Sequence, residues 1–264
     1  MTEIHKAAQQ GYSIVAQTYT QGRPEYPSDI LPWLKGNLGV TTGKLVVDLG
    51  AGTGKFTKLL AQTGANIVAV EPVKEMYFQL EKTLPGVRVL RGRAEAIPLD
   101  TGSVDALVCA QAFHWFASEA ALREIHRVLK PGGKLGLIWN VRDESVDWVS
   151  AITKIITPYE GNAPRFYKGD WRKPLDGRYF TAPEKTSFEY RHVGLAQQVI
   201  LDRFLSVSFI AALPDGEKLK VAEQLHALIA SHPALRRKGE IAFPYRTEAY
   251  LCIRLEEIND GGVD

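Results

Sequence analysis

The stretch with the clearest chemical potential is VVDLGAGTG at residues 46–54. An apolar run ends at Asp48, and three glycines follow at alternate positions from Gly50 to Gly54. Glycine accepts positive φ angles and leaves room for a ligand against the backbone. A helix is expected to begin near Lys55, so the loop joins a strand to a helix, where open α/β sheets bind ligands. We interpret the loop as a nucleotide-type site rather than only a tight turn.

Two common phosphate-binding motifs do not match this loop. A dinucleotide fingerprint, G-x-G-x-x-G, would need a glycine where Lys55 stands. A P-loop would need a serine or threonine where Phe56 stands. Asp48 would also repel a pyrophosphate, and an acid at this position is better matched to a cationic ligand. The loop therefore favours a ligand that carries positive charge.

A second acid ends the next apolar run, NIVAVE, at Glu71. From the tip of a second strand, a carboxylate can accept two hydrogen bonds from ribose hydroxyls. Taken alone, an acid of this kind would more commonly be a solvated loop residue. Its separation from the glycine loop favours the ribose interpretation.

Elements that could position these groups are visible in the pattern. Strand-like runs cover residues 45–49, 66–71, 87–91, 104–110 and 134–140. Helical spacing of apolar residues lies between them, which predicts a parallel sheet with crossover helices. Ser28 is expected to cap a helix over residues 29–37. The KPGG stretch at 130–133 is expected to end the helix before the fifth strand.

The regular alternation stops after residue 141. A strand is predicted over residues 186–193, helices over 195–213 and 216–232, and a last strand over 243–255. This order fits an antiparallel edge pair with helices inserted between its strands. We predict one domain over residues 1–264, and its expected parts are a lid or helical segment at 1–40, a core at 45–141, an insertion at 142–242 and the last strand at 243–256.

Composition restricts the class of protein. Hydrophobic residues make up 45% and charged residues 23% of the 264 positions, which predicts a packed core rather than disorder. The net charge of +2 is too small to indicate a nucleic-acid partner. Cys109 and Cys252 lie in apolar runs and are expected to be buried free thiols. Without a signal-peptide pattern or a membrane-spanning run, a cytoplasmic protein is expected.

At this point the chain resembles the class I S-adenosylmethionine-dependent methyltransferases. The resemblance rests on five stretches in order: VVDLGAGTGKF, VAVEP, GRAEAIPL, VDALVCAQAFHWF and EIHRVLKPGGKLGLIW. It is strong over residues 45–141, and YTQGRPEYP with the closing strand looks like a small-molecule subgroup. It implies a Rossmann-like, doubly wound seven-stranded sheet, mostly parallel with an antiparallel last strand, and a helical insertion between the last two strands. It also implies S-adenosylmethionine as cofactor and S-adenosylhomocysteine as product.

The resemblance implies a cofactor role for twelve matching positions. They are Asp48, Gly50, Ala51, Gly52, Thr53, Gly54, Glu71, Pro72, Ala94, Glu95, Gln111 and Ala112. Asp48 and the glycine loop would hold the methionine part, and Glu71 would bind the ribose with Pro72 beside the adenine. The amide of Ala94 and the acid of Glu95 would read the adenine edge, although the family often has Asp at the latter position.

The positions after the fourth strand would lie under the methionine and its sulfonium; these are Gln111 and Ala112. The methionine carboxylate also needs a cation, and Arg23 is the candidate because arginine can grip a carboxylate with two hydrogen bonds. Tyr19 could add a hydroxyl from an N-terminal lid. The alternative is that Arg23 is a surface residue and Tyr19 a core residue.

Methyl transfer needs alignment of nucleophile, methyl and sulfur, and a base only if the nucleophile must lose a proton. His114, in AQAFHWF, is the candidate base, with a packing role beside Trp115 as the alternative. Candidate acceptor-binding residues are Tyr12, Trp139 and Trp171, because aromatic walls favour a small, partly apolar molecule. No histidine or cysteine pair has metal-ligand spacing, so no metal is expected.

A small-molecule methyltransferase is therefore the leading hypothesis, with no nucleic-acid or membrane partner expected. Methylation of RNA or protein is a second hypothesis, and the near-neutral charge counts against RNA. A cofactor-binding regulatory protein without transferase activity is a third. Turnover to S-adenosylhomocysteine would separate the enzyme from the regulator.

Overall fold

The computed structural model describes residues 23–236 and 239–256. Within these ranges one sheet contains the strands β1 Leu45–Leu49, β2 Asn66–Val70, β3 Arg88–Leu90, β4 Val104–Ala110, β5 Leu129–Arg142, β6 Glu184–Leu195 and β7 Glu240–Ile253. Their order in the sheet is β3-β2-β1-β4-β5-β7-β6. The sheet is mostly parallel with antiparallel last strands, which confirms the predicted Rossmann-like class.

Helices connect the strands in the expected places. The α-helices are α1 Ile30–Gly36, α2 Lys55–Ala61, α3 Lys74–Thr83, α4 Glu119–Val128, α5 Asp147–Ile156, α6 Arg203–Leu205, α7 Ser208–Ala211 and α8 Asp215–Ser231. Short 3₁₀ turns cover Phe113–Trp115, Thr157–Tyr159, Phe166–Lys168 and Asp170–Arg172, and a π-helix covers Gln197–Asp202. No helix in the described ranges is long and apolar enough to cross a membrane.

Two compact units can be distinguished by their internal contacts. The core unit contains the described residues of 26–139, 164–188 and 247–256, and the insertion unit contains those of 23–25, 140–163, 189–236 and 239–246. The single-domain organisation expected for residues 1–264 stays a prediction.

In the core unit, β1 lies at the point where the strand order reverses. It pairs in parallel with β2 on one side, through Leu45 and Asn66, and with β4 on the other, through Val46 and Ala106. Four of its five residues are buried, because apolar side chains such as those of Leu34 and Leu60 cover the sheet. Ligands of open α/β sheets bind beyond the carboxyl ends of strands at such a reversal. The loops after β1 and β4 are therefore the expected site.

The insertion unit has a core of its own. Helices α5 and α8 pack together with the π-helix and the first half of β7, and Trp148 meets Phe243 edge to face at 5.0 Å between ring centroids. The single helix predicted over residues 195–213 is wrong. Three consecutive residues of the π-helix, from Val199 to Leu201, are buried, which the 3.6-residue period of an α-helix does not favour, and Val207 is in an extended conformation that separates α6 from α7.

Smaller expectations need correction. Ser28 is not the cap of the first helix: the helix begins at Ile30 after Asp29, without a side-chain cap. The fifth strand is longer than residues 134–140, because β5 begins at Leu129 and includes KPGG at 130–133. The pairing of β5 with β4 is irregular at this point. The two cysteines are free and buried, which confirms the prediction for them.

Candidate functional site

The glycine loop after β1 is held close to its neighbouring strands. Gly50, Gly52 and Gly54 all have positive φ angles, of 73°, 59° and 86°, which L side chains rarely adopt. A Cβ atom on Gly50 would lie 2.7 Å from the Cβ of Ala112, which follows β4. The loop therefore requires glycine at position 50 both for its conformation and for its approach to the end of β4.

The N–H groups of this loop are largely used within the protein. Gly50 and Ala51 both donate to the carbonyl of Val70, at 2.8 and 3.2 Å, and Gly54 donates to the carbonyl of Ala51 at 3.0 Å. The N–H of Gly52 is donated to a carboxylate. A phosphate-binding loop directs such N–H groups at the ligand. In this loop the N–H groups of four residues are bonded within the protein, so few remain for a phosphate, and the absence of a pyrophosphate stays a prediction.

Asp48, at the end of β1, is a buried acid with unused capacity for hydrogen bonds. Its Oδ2 accepts a hydrogen bond of 2.6 Å from the hydroxyl of Thr57 on α2. Its Oδ1 is buried and has no hydrogen-bond partner among the described residues. Burial raises the pKa of Asp48 to about 7, and the Thr57 hydrogen bond lowers it by less. Asp48 can therefore accept a further hydrogen bond or lie next to a positive charge.

Glu71, just after β2, ties the glycine loop to α3. Its Oε2 accepts the N–H of Gly52 and its Oε1 accepts the N–H of Val73, both at 2.8 Å. Burial raises the pKa of Glu71 to about 7, the two backbone hydrogen bonds lower it, and the charge of Asp48 raises it further. Each carboxylate oxygen has two lone pairs, so each can accept one more donor. Two buried carboxyls with raised pKa values beside one loop are typical of a functional site.

Gln111 adds backbone strain at the same edge of the sheet. It follows β4, donates its N–H to the carbonyl of Ile138 at 2.8 Å, and has a φ of 56°. It is the one non-glycine residue with positive φ in the part of the chain that the structure describes. Strained residues of this kind cluster at ligand-binding sites. Gln111 and the buried Ala112 thus complete the far side of the glycine loop.

Comparison with known proteins identifies the family. Residues 47–137 match the model of a methyltransferase domain. The chain is 39% identical over 233 residues to an uncharacterized methyltransferase-like protein of Schizosaccharomyces pombe, covering 88% of this chain and 91% of the relative. An uncharacterized methyltransferase of Mycobacterium tuberculosis is 39% identical over 241 residues, covering 89% and 91%. The chain belongs to the class I S-adenosylmethionine-dependent methyltransferases.

The fold agrees with this membership. The YcgJ protein of Bacillus subtilis superposes with a TM-score of 0.55 at 18% identity, covering 87% of this chain and 100% of that one. The methyltransferase fold implies S-adenosylmethionine as the methyl donor. The residues present fit that molecule: Asp48 Oδ1 is a buried acceptor without a partner among the described residues, and each carboxylate oxygen of Glu71 has a lone pair left after accepting one backbone N–H.

The predicted adenine side of the methyltransferase site lies after β3. Gly92 packs so closely that a Cβ atom would lie 2.6 Å from Pro98 and 2.9 Å from Val70 of β2. Ala94 is buried, whereas the Glu95 carboxylate lies 3.6 Å from the Nε of Arg93. Glu95 therefore already has an ionic partner. The adenine roles of Pro72, Ala94 and Glu95 stay predictions.

His114 has a fixed partner within the core unit. The indole Nε1–H of Trp139, on β5, donates to His114 Nδ1 at 3.1 Å. An indole N–H can only donate, so Nδ1 acts as acceptor and the neutral ring carries its proton on Nε2. In that tautomer His114 can donate a hydrogen bond through Nε2 but offers no basic lone pair there. This geometry favours a positioning role over the role of general base.

The aromatic residues predicted to line the acceptor pocket are packed against one another. Trp139 and Trp171 are both buried, with ring centroids 4.6 Å apart, and Phe166 lies 4.8 Å from Trp139. The indole N–H of Trp171 donates to the carbonyl of Phe166 at 3.2 Å. Both indole N–H groups are thus occupied by protein acceptors. Contact of Trp139 and Trp171 with an acceptor stays a prediction.

Three N-terminal predictions have different outcomes. Tyr12 and Tyr19, with most of the expected lid, lie outside the described residues. Arg23 belongs to the insertion unit, where its Nη2 donates to the carbonyl of Ser206 at 3.4 Å. Its proposed contact with the methionine carboxylate stays a prediction.

Two contributors to the site were not indicated by the sequence pattern. Thr57 donates a hydrogen bond to Asp48. Its place on the otherwise apolar face of α2 could have indicated this, because a buried hydroxyl needs a hydrogen-bond partner. The sulfur of Met76 lies 3.8 Å from where a Cβ atom on Gly52 would stand. A methionine on an apolar helix face resembles ordinary core, and no pattern separates the two roles.

Proposed function

We propose that this methyltransferase binds S-adenosylmethionine at the edge formed by Asp48, Glu71 and Gln111, and transfers the methyl group to a small organic acceptor. The observation that carries the proposal is the pair of buried carboxyls at the glycine loop. One of them has an unused oxygen, and the other retains lone pairs after bonding the loop. A ligand with a cationic end and two ribose hydroxyls matches these needs.

Each carboxyl has its own task in this proposal. Asp48 Oδ1 accepts a hydrogen bond from the amino-acid part of the cofactor, and its negative charge favours the nearby positive groups. Glu71 accepts hydrogen bonds from the two ribose hydroxyls, while the N–H groups of Gly52 and Val73 keep its carboxylate oriented. Because most loop N–H groups are already donated within the protein, the loop contributes shape rather than hydrogen bonds.

S-adenosylmethionine, when bound, supplies an electrophilic methyl group on a sulfonium that leaves as a neutral thioether. The protein therefore needs no acid for the leaving group, and its task is to orient the acceptor and exclude water. His114, whose Nδ1 accepts the indole N–H of Trp139, has a positioning role in this proposal and not the role of a base. An acceptor that is already ionised at neutral pH needs no base under this arrangement.

The test is turnover over a panel of acceptors with a labelled methyl group. The panel pairs small alcohols, amines and carboxylic acids with an RNA fragment and a protein substrate, and formation of S-adenosylhomocysteine is measured for each. Transfer to a small molecule above the no-acceptor rate supports the proposal. Transfer confined to RNA or protein would contradict the acceptor class, and cofactor binding without any turnover would favour a regulatory protein.

A further inference from the structure

The insertion unit contains a group of three arginines. Only one of them, Arg23, has been given a role above. We call Arg23, Arg142 and Arg203 the arginine cluster. The guanidinium carbons of Arg142 and Arg203 lie 5.5 and 5.4 Å from the ring centroid of Phe204. Arg23 donates to the carbonyl of Ser206, three residues after Arg203. The three side chains thus converge on the turn formed by α6.

Arg203 is a cation whose buried nitrogens are not satisfied within the protein. Its Nε and Nη1 are buried and have no hydrogen-bond partner among the described residues. Burial lowers the pKa of Arg203 to about 10, the like charges of Arg23 and Arg142 lower it as well, and the hydroxyl of Tyr245 raises it. That hydroxyl lies near Arg203 but makes no hydrogen bond of normal geometry in the described structure. A neutral hydroxyl cannot balance the charge.

Among the described residues, no acidic side chain contributes to the charge balance of Arg203. Glu144 lies 3.7 Å from Arg142 Nη2, so it acts on a different member of the cluster. The charge of Glu25 acts on Tyr190, whose pKa is raised first by burial and then by this charge. The backbone carbonyl of Glu25 accepts a hydrogen bond from the side chain of Asn140. A buried charge without a partner destabilises a protein. An anionic ligand would supply the missing partner.

The backbone at this point is irregular in a second, independent way. Arg203 directly follows the π-helix Gln197–Asp202. π-helical turns are rare and are frequently found at functional sites, because the extra residue in the turn redirects the side chains that follow. Phe204 and Phe243, with ring centroids 5.7 Å apart, and Tyr245, stacked 4.8 Å from Phe243, provide apolar surface beside the guanidiniums.

We propose that the arginine cluster binds the carboxylate of a small organic acid. The planar guanidinium of Arg203 matches a carboxylate through paired hydrogen bonds, and the neighbouring aromatic rings suit an organic body rather than inorganic phosphate. The acid we commit to is a small free organic acid, bound within the insertion unit. The methionine carboxylate of S-adenosylmethionine is the other source of the same chemistry, and the test separates the two.

Thermal unfolding at constant ionic strength tests the site directly. The full-length protein is titrated with succinate, with succinamide and with inorganic phosphate, and compared with Arg203→Met and with Arg191→Met, an exposed arginine of the same unit. Succinate should raise the unfolding temperature of the wild type, whereas succinamide should not and phosphate should do so less. Arg203→Met should weaken the apparent succinate affinity by about tenfold or more, and Arg191→Met should not.

A second readout separates ligand binding from a structural role. Without succinate, Arg203→Met should unfold at the same temperature as the wild type or higher, because it removes an unpaired buried charge. A lower unfolding temperature, an equal response to succinamide, or a retained succinate response would overturn the site. Arg203→Lys, which keeps the charge but not the paired donors, should fold and respond more weakly than the wild type; a full response would overturn it too.

Calorimetric titration with S-adenosylhomocysteine and with its methyl ester distinguishes the two sources. If a free acid supplies the carboxylate, Arg203→Met should keep the wild-type affinity for S-adenosylhomocysteine within about threefold. A tenfold loss for S-adenosylhomocysteine but not for its ester would assign the cluster to the cofactor and overturn its assignment to a free acid. Failure of the wild type to bind S-adenosylhomocysteine would contradict the proposed function, and the succinate response would still decide the anion site.

Discussion

The Oε2 atom of Glu71 accepts a hydrogen bond from the backbone N–H of Gly52 at a distance of 2.8 Å. The end of β2 is thereby tied to the middle of the loop that follows β1, and the same carboxylate also accepts the N–H of Val73 before α3. One acidic side chain thus sets the loop shape and retains lone pairs for a ligand. Replacing Glu71 should therefore weaken cofactor binding, because it removes both a ligand acceptor and a hydrogen bond that holds the loop.

We expect Glu71→Ala to reduce the free energy of S-adenosylhomocysteine binding by about 1–3 kcal/mol, because charged acceptors of hydrogen bonds contribute on this scale. The matched control is Glu81→Ala, which removes an exposed glutamate from α3. Calorimetric titration measures both variants. Equal affinities for Glu71→Ala and the wild type would remove Glu71 from the site.

Cofactor binding should release protons near neutral pH. Asp48 and Glu71 both have pKa values raised to about 7 by burial, and ligand donors favour their ionised forms. Affinity should therefore fall as the pH drops from about 8 to about 6, which is one unit on either side of the two pKa values. Titrations at about pH 7 in two buffers of different ionisation enthalpy should differ by the released protons. Affinity that rises with acidification would contradict this assignment.

The same two groups predict how the ligand-free protein responds to pH. Their raised pKa values mean that the folded state binds more protons than the unfolded state between about pH 4 and pH 7. The stability they provide is fully present below pH 4 and is lost as the pH rises through 7. Asp48→Asn should reduce this loss, measured as the free energy of unfolding by urea at several pH values. An unchanged pH dependence would show that Asp48 titrates normally.

Gly50 should not tolerate even one methyl group. Its φ is 73° and the added Cβ would lie 2.7 Å from the Cβ of Ala112. We expect Gly50→Ala to lower the free energy of unfolding by about 1–3 kcal/mol, the usual cost of such backbone strain, and to weaken cofactor binding. Gly36→Ala, where nothing lies within 4 Å and φ is not positive, is the control and should be neutral or stabilising. Equal behaviour of the two variants in urea unfolding would contradict the close packing.

Much of the core unit could be predicted because local signals there agree with the tertiary structure. β1 and β4 have the predicted bounds, since both are short apolar runs buried on both faces. The glycines mark the loop because its φ angles require them. Thr57 could not be assigned in the same way, because its partner Asp48 is close in space and not in the helical pattern.

The insertion unit was less predictable for a physical reason. The apolar residues from Val199 to Leu201 predicted an ordinary helix, and the π turn in which all three are buried has no local signal in the sequence. The convergence of Arg23, Arg142 and Arg203 joins three distant segments, which no spacing in the sequence indicates. The tautomer of His114 likewise depends on a partner on another strand.

His114 should act through position rather than as a base. Asn can place an acceptor where Nδ1 stands, and Gln can place a donor where Nε2 stands. We therefore expect His114→Gln to retain more turnover than His114→Asn, with losses of about 10-fold or less and unchanged cofactor affinity, whereas a general base contributes about 10²–10⁴-fold. Nitrogen NMR should show the proton on Nε2. A loss of more than about a thousandfold in turnover, with fold and cofactor binding intact, would identify His114 as the base.

Calorimetric titration of the wild type and Asp48→Asn with S-adenosylhomocysteine and NAD tests the central claim most directly. At about pH 8, where both carboxyls are ionised, the wild type should bind S-adenosylhomocysteine and not NAD. Asp48→Asn should weaken S-adenosylhomocysteine binding by about tenfold or more, because it removes a charged acceptor, while unfolding at the same temperature as the wild type or higher. Tight binding of NAD without binding of S-adenosylhomocysteine would contradict the account of the site, and unchanged affinity in Asp48→Asn would contradict the role of its carboxylate.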